Sequence, residues 1–365
     1  NENGLIEEVA SNVPRLDYSD GTCPSLLLEP IARNFLIQSE SFDDVAWTKD
    51  LSGVASAPVV TANQGISPDG TLNADRIVFD LNGGVSTGDS SIITETAATI
   101  LTGINVNTRS VYLKSNTNLS YDIILGTNTA NSNAEKITVT TEWQRFEVTQ
   151  TPTTTTTNFY LGLRNAFGVS SLSDSADVLV YGASLEENSY ATSYIKTVGT
   201  TQTRSADTAN GAGNASVINS TEGVLYAQIS ALANDGTERN LSLSDGTNSN
   251  RISWWFSTTN TLAVALYYEG VLQYFSNLSI GTATDYNKIA FKYKENDFAL
   301  WVNGVELATD TNGSTYSANT LSTINFNRAN GTLPFYGKVK SLQVYTTALS
   351  DIEIEKLTSY TSFTA

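Results

Sequence analysis

The chain has 365 residues, 37 acidic against 20 basic for a net charge of −17, and no histidine. A field of that sign repels nucleic acid and anionic membranes, no apolar run reaches the roughly 18 residues of a spanning helix, and a chain without histidine has no Ser–His–Asp or Cys–His nucleophile, histidine base or ordinary zinc site. Hydrophobic residues make up 40% and charged residues only 16%, so there is apolar material for two cores of about 150–200 residues each. The polar surface must then come from Ser, Thr and Asn. The single cysteine, Cys23, allows no intramolecular disulfide and is expected to be a lone thiol. A chain without Met that starts at Asn1 is expected to be a fragment or processed piece of something longer, and no signal-peptide pattern is visible there.

Residues 1–32 read as an extended lead-in. Pro14, Pro24 and Pro30, with a Ser19–Asp20–Gly21 turn, disfavour helix, and the segment is expected to pack beside the first domain. From 33 to 200, short alternating runs between turn residues predict a sandwich or jelly roll. Strands are predicted at Asp75–Asp80, Thr108–Ser115, Tyr121–Leu125, Lys136–Val139, Trp143–Val148, Asn158–Leu163 and Asp177–Leu185. The threonine run at 152–158 predicts an extended, solvent-facing loop. Residues 201–221, rich in Gly, Asn and Ser from Asn210 onward, predict a linker, and 222–365 a second strand series. Within it, Asn303–Gly304 predicts a tight hairpin, because both residues tolerate positive φ. Ser350 with Glu353 three residues on, flanked by Leu349 and Ile354, predicts a capped C-terminal helix. The expected fold class is all-β: two tandem sandwich or jelly-roll domains, a lead-in and one short helix.

Several of these runs carry a resemblance. NFLIQSESFDDVAW at 34–47, SVYLK at 110–114, TTEWQRFEV at 140–148 and VLVYGASLE at 178–186 occur in the order found in carbohydrate-binding-module-like jelly rolls. LEENSYATSYIKTVGTTQTRSAD at 185–207 resembles a junction of bacteriophage tail and fibre proteins, where such a jelly roll leads into a second β-domain. DFALWVNGVEL at 297–307 and GKVKSLQVYTTALSDIEIEKL at 337–357 resemble the end of a laminin-G/concanavalin A-like jelly roll. The resemblance implies an extracellular virion component of tail or fibre type, assembled as a homo-oligomer with other virion proteins, that binds host-surface glycans.

Candidate residues follow from face alternation. In RISWWFS, Ile252, Trp254 and Phe256 share one face and Arg251, Ser253 and Trp255 the other. The first set is expected in the core. Trp255 is then a flat indole suited to stacking on the apolar face of a sugar, or else the filling of the other side of a two-sided sheet or of an oligomer contact. Tyr267 raises the same question. Trp47 and Trp143 align with aromatic positions of the resembled jelly rolls, where core packing is expected, with sugar contact by either as the family-level alternative. Jelly rolls also hold structural calcium between loops, and Asp69 and Asp245, each before a glycine, are the candidate ligands.

An enzyme would have to work through carboxylates alone. The alternating set Asp351, Glu353 and Glu355 falls on the predicted helix, where residues two apart diverge, and the adjacent pairs Asp43–Asp44 and Glu186–Glu187 would be split by a strand. A non-enzymatic glycan binder is therefore expected. Its rivals are a purely structural or decorating virion protein and, further off, a carboxylate-based polysaccharide depolymerase.

Overall fold

The computed structural model describes residues 1–19, 21, 23–96, 105–127, 134–151, 158–164 and 172–359. Most of the predicted threonine loop, 152–157, and Asp20 of the predicted turn lie outside the described residues. Two compact units are present. One comprises Asn1–Glu2, Val9–Pro30 and Ala206–Ala365; the other comprises Asn3–Glu8 and Ile31–Ser205. We refer to them as the split unit and the inserted unit.

The split unit opens with β1 (Leu16–Asp17) and β2 (Ser25–Leu28). Leu26, Leu27 and Leu28 pair antiparallel with Val339, Lys338 and Gly337 near the far end of the chain. The lead-in is therefore divided: Asn3–Glu8 belong to the first domain, as expected, whereas the rest supplies two strands to the split unit's own sheet. Its apolar run SLLL explains the difference, since Leu28 is buried in that unit's core.

The inserted unit follows with β3 (Ala32–Asn34), β4 (Thr48–Ser52), β5 (Ser56–Ile66), β6 (Leu72–Asp80), β7 (Ser90–Thr96), β8 (Asn107–Ser115) and β9 (Tyr121–Gly126). It continues with β10 (Ala134–Val139), β11 (Gln144–Gln150), β12 (Asn158–Arg164), β13 (Ser175–Glu186) and β14 (Gln202–Arg204). Two five-stranded antiparallel sheets form, in the orders β10-β9-β12-β7-β4 and β11-β8-β13-β6-β5. Between them lie Phe42, Trp47, Phe79, Val111, Leu113, Phe159, Val178 and Val180, the alternate residues of their strands. The first and last strands, β3 and β14, pair with each other. Asn34 secures that closure: its Nδ2 donates to the carbonyls of Ala183 (3.0 Å) and Ile195 (2.9 Å), and its Oδ1 accepts from the N–H of Leu36 (3.2 Å) and Leu185 (3.1 Å). All four bonding positions of a buried amide are used.

The chain re-enters the split unit with β15 (Asn210–Ala212), β16 (Glu222–Ala231), β17 (Arg239–Ser244), β18 (Arg251–Phe256), β19 (Thr261–Tyr268) and β20 (Val271–Ser279). Then come β21 (Asn287–Lys294), β22 (Phe298–Val302), β23 (Val305–Asp310), β24 (Thr323–Asn325), β25 (Gly337–Tyr345) and α1 (Asp351–Thr358). A seven-stranded sheet, β1-β2-β25-β16-β21-β22-β23, faces a six-stranded one, β15-β24-β17-β18-β19-β20. Leu225, Leu241, Ile252, Trp254, Leu266, Phe291 and Phe335 fill the space between, each large side chain contributing about 1.5–3 kcal/mol by leaving water. The predicted hairpin joins Val302 to Val305, with Asn303 at φ 52° and Gly304 at φ 82°. Helix α1 has Ser350 as N-cap, whose N–H donates to Glu353 Oε2 at 2.8 Å. Its Ile354 packs on the outer face of the seven-stranded sheet with Val224, Tyr226 and Trp301.

The segment expected as a linker, 201–221, is divided between the units as β14 and β15. Where the split unit resumes, the Asp207 N–H donates to the Glu29 carbonyl (2.9 Å) and Asp207 Oδ2 accepts from the Glu29 N–H (2.8 Å). Arg15, from the lead-in, ion-pairs with both carboxylates. These bonds hold together the two ends of the split unit that flank the insertion.

Candidate functional site

The six-stranded sheet of the split unit turns one set of side chains away from the core. Strand register arranges them in rows across β17, β18 and β19: Asn240–Trp255–Ala263, Ser242–Ser253–Ala265 and Ser244–Arg251–Tyr267. Asn277 and Phe275 of β20 extend the first two rows. The floor is made of small residues: Ser242, Ser253, Ala263 and Ala265 are all buried. Above it stand Trp255, half-buried, and Phe275, 55% exposed, with ring centroids 6.5 Å apart and planes at 37°. Small residues beneath two tall rings leave the aromatic faces as the apolar surface a ligand meets.

At the other end of the same face, the Arg251 guanidinium lies 4.1 Å from the Tyr267 ring centroid, a cation–π stack. Arg251 also donates to the Asn248 carbonyl and to Ser253 Oγ (3.4 Å). Next to this face the chain turns at 328–332, where the Arg328 N–H donates to the Thr332 carbonyl at 2.8 Å and the Gly331 N–H to the Arg328 carbonyl at 2.8 Å. Ser242 Oγ reaches the Asn327 carbonyl at 2.8 Å, which ties that turn to the floor. Asn240 Nδ2 is buried without a hydrogen-bond partner among the described residues.

The predicted residues meet different fates. Ile252, Trp254 and Phe256 are buried in the core, as alternation required, and Trp255 faces outward. Tyr267 shares the face with Trp255, but one side of its ring is occupied by Arg251, so it is a support for that cation and not an open platform. Trp47 is no sugar contact. It is 1% exposed, packed against the tilted ring of Phe42 and edge-on to Phe159, with its Nε1 donating to the Gln38 carbonyl at 2.8 Å.

The calcium candidates are engaged in the hydrogen bonds of their own turns. Asp69 Oδ1 accepts from Ser67 Oγ, the Thr71 N–H and Thr71 Oγ1, and its Oδ2 from Asn73 Nδ2 and Tyr181 OH. Asp245 accepts in the same way from the Thr247 N–H, Thr247 Oγ1 and Asn250 Nδ2. Each carboxylate organises its own turn. These bonds hold both groups below the usual carboxylate range despite burial, which acts the other way. Among the described residues no three metal-binding side chains converge.

The inserted unit carries a second aromatic group. On the outer face of the β11-β8-β13-β6-β5 sheet, Tyr112 and Tyr181 have centroids 6.2 Å apart, and Tyr181 and Tyr194 5.5 Å. Trp143, expected in the core, packs there instead, its Nε1 donating to the Ile66 carbonyl at 3.0 Å. The inserted unit covers this face itself. Ile6 packs on the cluster, its N–H donating to the Pro68 carbonyl at 2.9 Å. Tyr194 OH donates to Glu40 Oε1 at 2.9 Å, and Tyr181 OH to Asp69. Burial, then the neighbouring Glu40 charge, pushes both phenols well above their ordinary pKa.

The junction motif is structural too. Glu186, 1% exposed, accepts from the Thr192 N–H and from Thr192 Oγ1 at 2.5 Å, and Arg204 Nη1 donates to the Ser193 carbonyl at 3.1 Å. The carboxylates Asp351, Glu353 and Glu355 lie on α1, as expected.

Residues 225–355 match the family profile of the concanavalin A-like lectin/glucanases superfamily. This agrees with the fold expected of the second domain and spans β16 to α1 of the split unit, including the Trp255 face. No curated protein matches the chain. Among solved structures, the chain is similar to the CBM40 of Ruminococcus gnavus IT-sialidase (18% identity, TM-score 0.35, covering 41% of this chain and 94% of that one). It is also similar to a heptameric SAP-like pentraxin from Limulus polyphemus (12%, 0.33, 41% and 74%) and to domain 4 of the Geobacillus stearothermophilus arabinanase AbnA (15%, 0.33, 40% and 70%). Likenesses at these scores decide nothing about function.

Proposed function

We propose that the protein is a non-enzymatic glycan binder whose sugar platform is the outer face of the six-stranded sheet, centred on Trp255 and Phe275. The observation that carries this reading is an exposed aromatic pair over a floor of Ser and Ala, in the part of the chain that matches a lectin-type superfamily. Flat rings stack on the C–H face of a sugar, and the contacts are individually weak. Repetition of the site in a homo-oligomer would make them useful. The superfamily also includes glucanases. Binding without hydrolysis is favoured because the residues paired across this face, from Asn240 to Phe275, include no carboxylate, whereas glycoside hydrolysis uses two.

The place of action in this reading is the surface of a phage particle, as an extracellular tail or fibre component among other virion proteins. It is supported by the junction motif at 185–207. The test is binding of the purified chain and of Trp255→Ala to a glycan array and to host cells. The reading expects a saturable wild-type signal that the variant loses. A wild type that binds no glycan and no cell would leave the purely structural role instead.

A further inference from the structure

The Trp255 face carries two guanidiniums that no carboxylate among the described residues answers. Several cations of this strongly acidic chain pair with acids: Arg15 with Glu29 and Asp207, Arg76 with Asp177, Arg239 with Asp235, Lys292 with Asp297 and Asp351. Others, such as the buried Arg109 of the inserted unit, are held singly by neutral partners. Arg251 and Arg328 form no ion pair among the described residues. Arg251 is held by neutral partners, the Tyr267 ring, the Asn248 carbonyl and Ser253 Oγ. Arg328, half-buried, directly follows Asn327, whose carbonyl accepts from Ser242 Oγ of the floor at 2.8 Å. Burial first, and then the Arg328 charge, lowers the Arg251 pKa, so the two cations are near enough to repel. A fold that keeps two like charges together without an internal anion offers that place to an external one.

We propose that the Trp255 face takes an acidic saccharide, its ring stacked on Trp255 and Phe275 and its carboxylate or sulfate bound by Arg328 with Arg251 behind it. This rests on the glycan-binding reading above and narrows it to one ligand class. Arg251 is itself buried and acts through its charge, while Arg328 is the group that touches the anion. A charge-assisted hydrogen bond from a guanidinium contributes roughly tenfold or more in affinity.

The experiment uses the full chain against matched neutral, uronate-bearing, sialylated and sulfated oligosaccharides, with titration of the best pair at low and high salt. The expected result is a preference for an acidic member of about tenfold, shrinking as salt rises. Arg328→Gln removes the preference and leaves affinity for the neutral partner, Arg328→Lys restores part of it, and Trp255→Ala loses both. Equal binding of neutral and acidic members, unchanged in Arg328→Gln but lost in Trp255→Ala, overturns this proposal and leaves the glycan-binding reading standing. No binding to any saccharide overturns both. A thermal melt of Arg328→Gln within about 2 °C of wild type, as expected for a surface substitution of well under 1 kcal/mol, shows that a lost preference is not lost folding.

Discussion

The outer sheet faces of the two units both carry clustered aromatic residues, and they have opposite endings. In the inserted unit, Tyr112, Tyr181, Tyr194 and Trp143 are roofed by Ile6, and the hydroxyls of Tyr181 and Tyr194 are spent on Asp69 and Glu40. In the split unit, Phe275 stays 55% exposed beside Trp255, and the neighbouring arginines have no acid partner among the described residues. An aromatic residue pointing out of a sheet is therefore not by itself a binding site. What distinguishes the two faces is whether the chain has satisfied them with its own side chains.

Four substitutions sharpen that contrast. Tyr194→Ala removes a large, mostly enclosed side chain and should cost the inserted unit about 3–4 kcal/mol, read by denaturant unfolding, with no loss of glycan affinity. A variant that kept its stability but lost binding would reverse the roles assigned to the two faces.

Glu95→Gln should act next most strongly. Glu95 is 3% exposed and burial pushes its pKa up to about 7, although the N–H groups of Ile37 and Gln38 donate to it. Because the folded value exceeds the unfolded one of about 4.5, the folded state binds more protons between the two. Wild-type stability should then fall as pH rises from about 4.5 to 7, by roughly 3 kcal/mol. Glu95→Gln should flatten that slope and leave saccharide binding unchanged. Stability that rises across this window would contradict the account.

Trp255→Ala should weaken glycan binding by about 2 kcal/mol, in the range of interface anchors, while changing unfolding stability by less than about 1 kcal/mol. Calorimetric titration beside a denaturant curve separates the two. Phe275→Ala, which removes the outer member of the pair, should lose about 1 kcal/mol of binding. If Phe275→Ala cost more than Trp255→Ala, the centre of the platform would move to the sheet edge.

How much of this could be read from the sequence depends on the range of the interactions. Alternation within β18 separated Trp254 from Trp255 correctly, because side-chain direction in a strand is local. The Asn303–Gly304 hairpin and the Ser350–Glu353 cap are likewise short-range, and both form. The pairing of β2 with β25 joins opposite ends of the chain, and no local pattern announces it. The Arg251–Tyr267 stack needed the register of β18 on β19, and Arg328 reaches this face through a turn distant in sequence. Asp69 and Asp245 sit in loops whose composition suits calcium, but a turn that bonds to itself uses the same residues. Trp47 shows the same ambiguity: an aromatic before a strand reads alike whether it stacks on a sugar or, as here, packs in the core against Phe42 and Phe159.

The most direct test of the central claim is a structure of the full chain bound to the saccharide that an array selects. The account predicts the sugar ring lying over Trp255 and Phe275, with its acidic group at Arg328. A saccharide seated on the Tyr181–Tyr194 face of the inserted unit, with the Trp255 face empty, would contradict it.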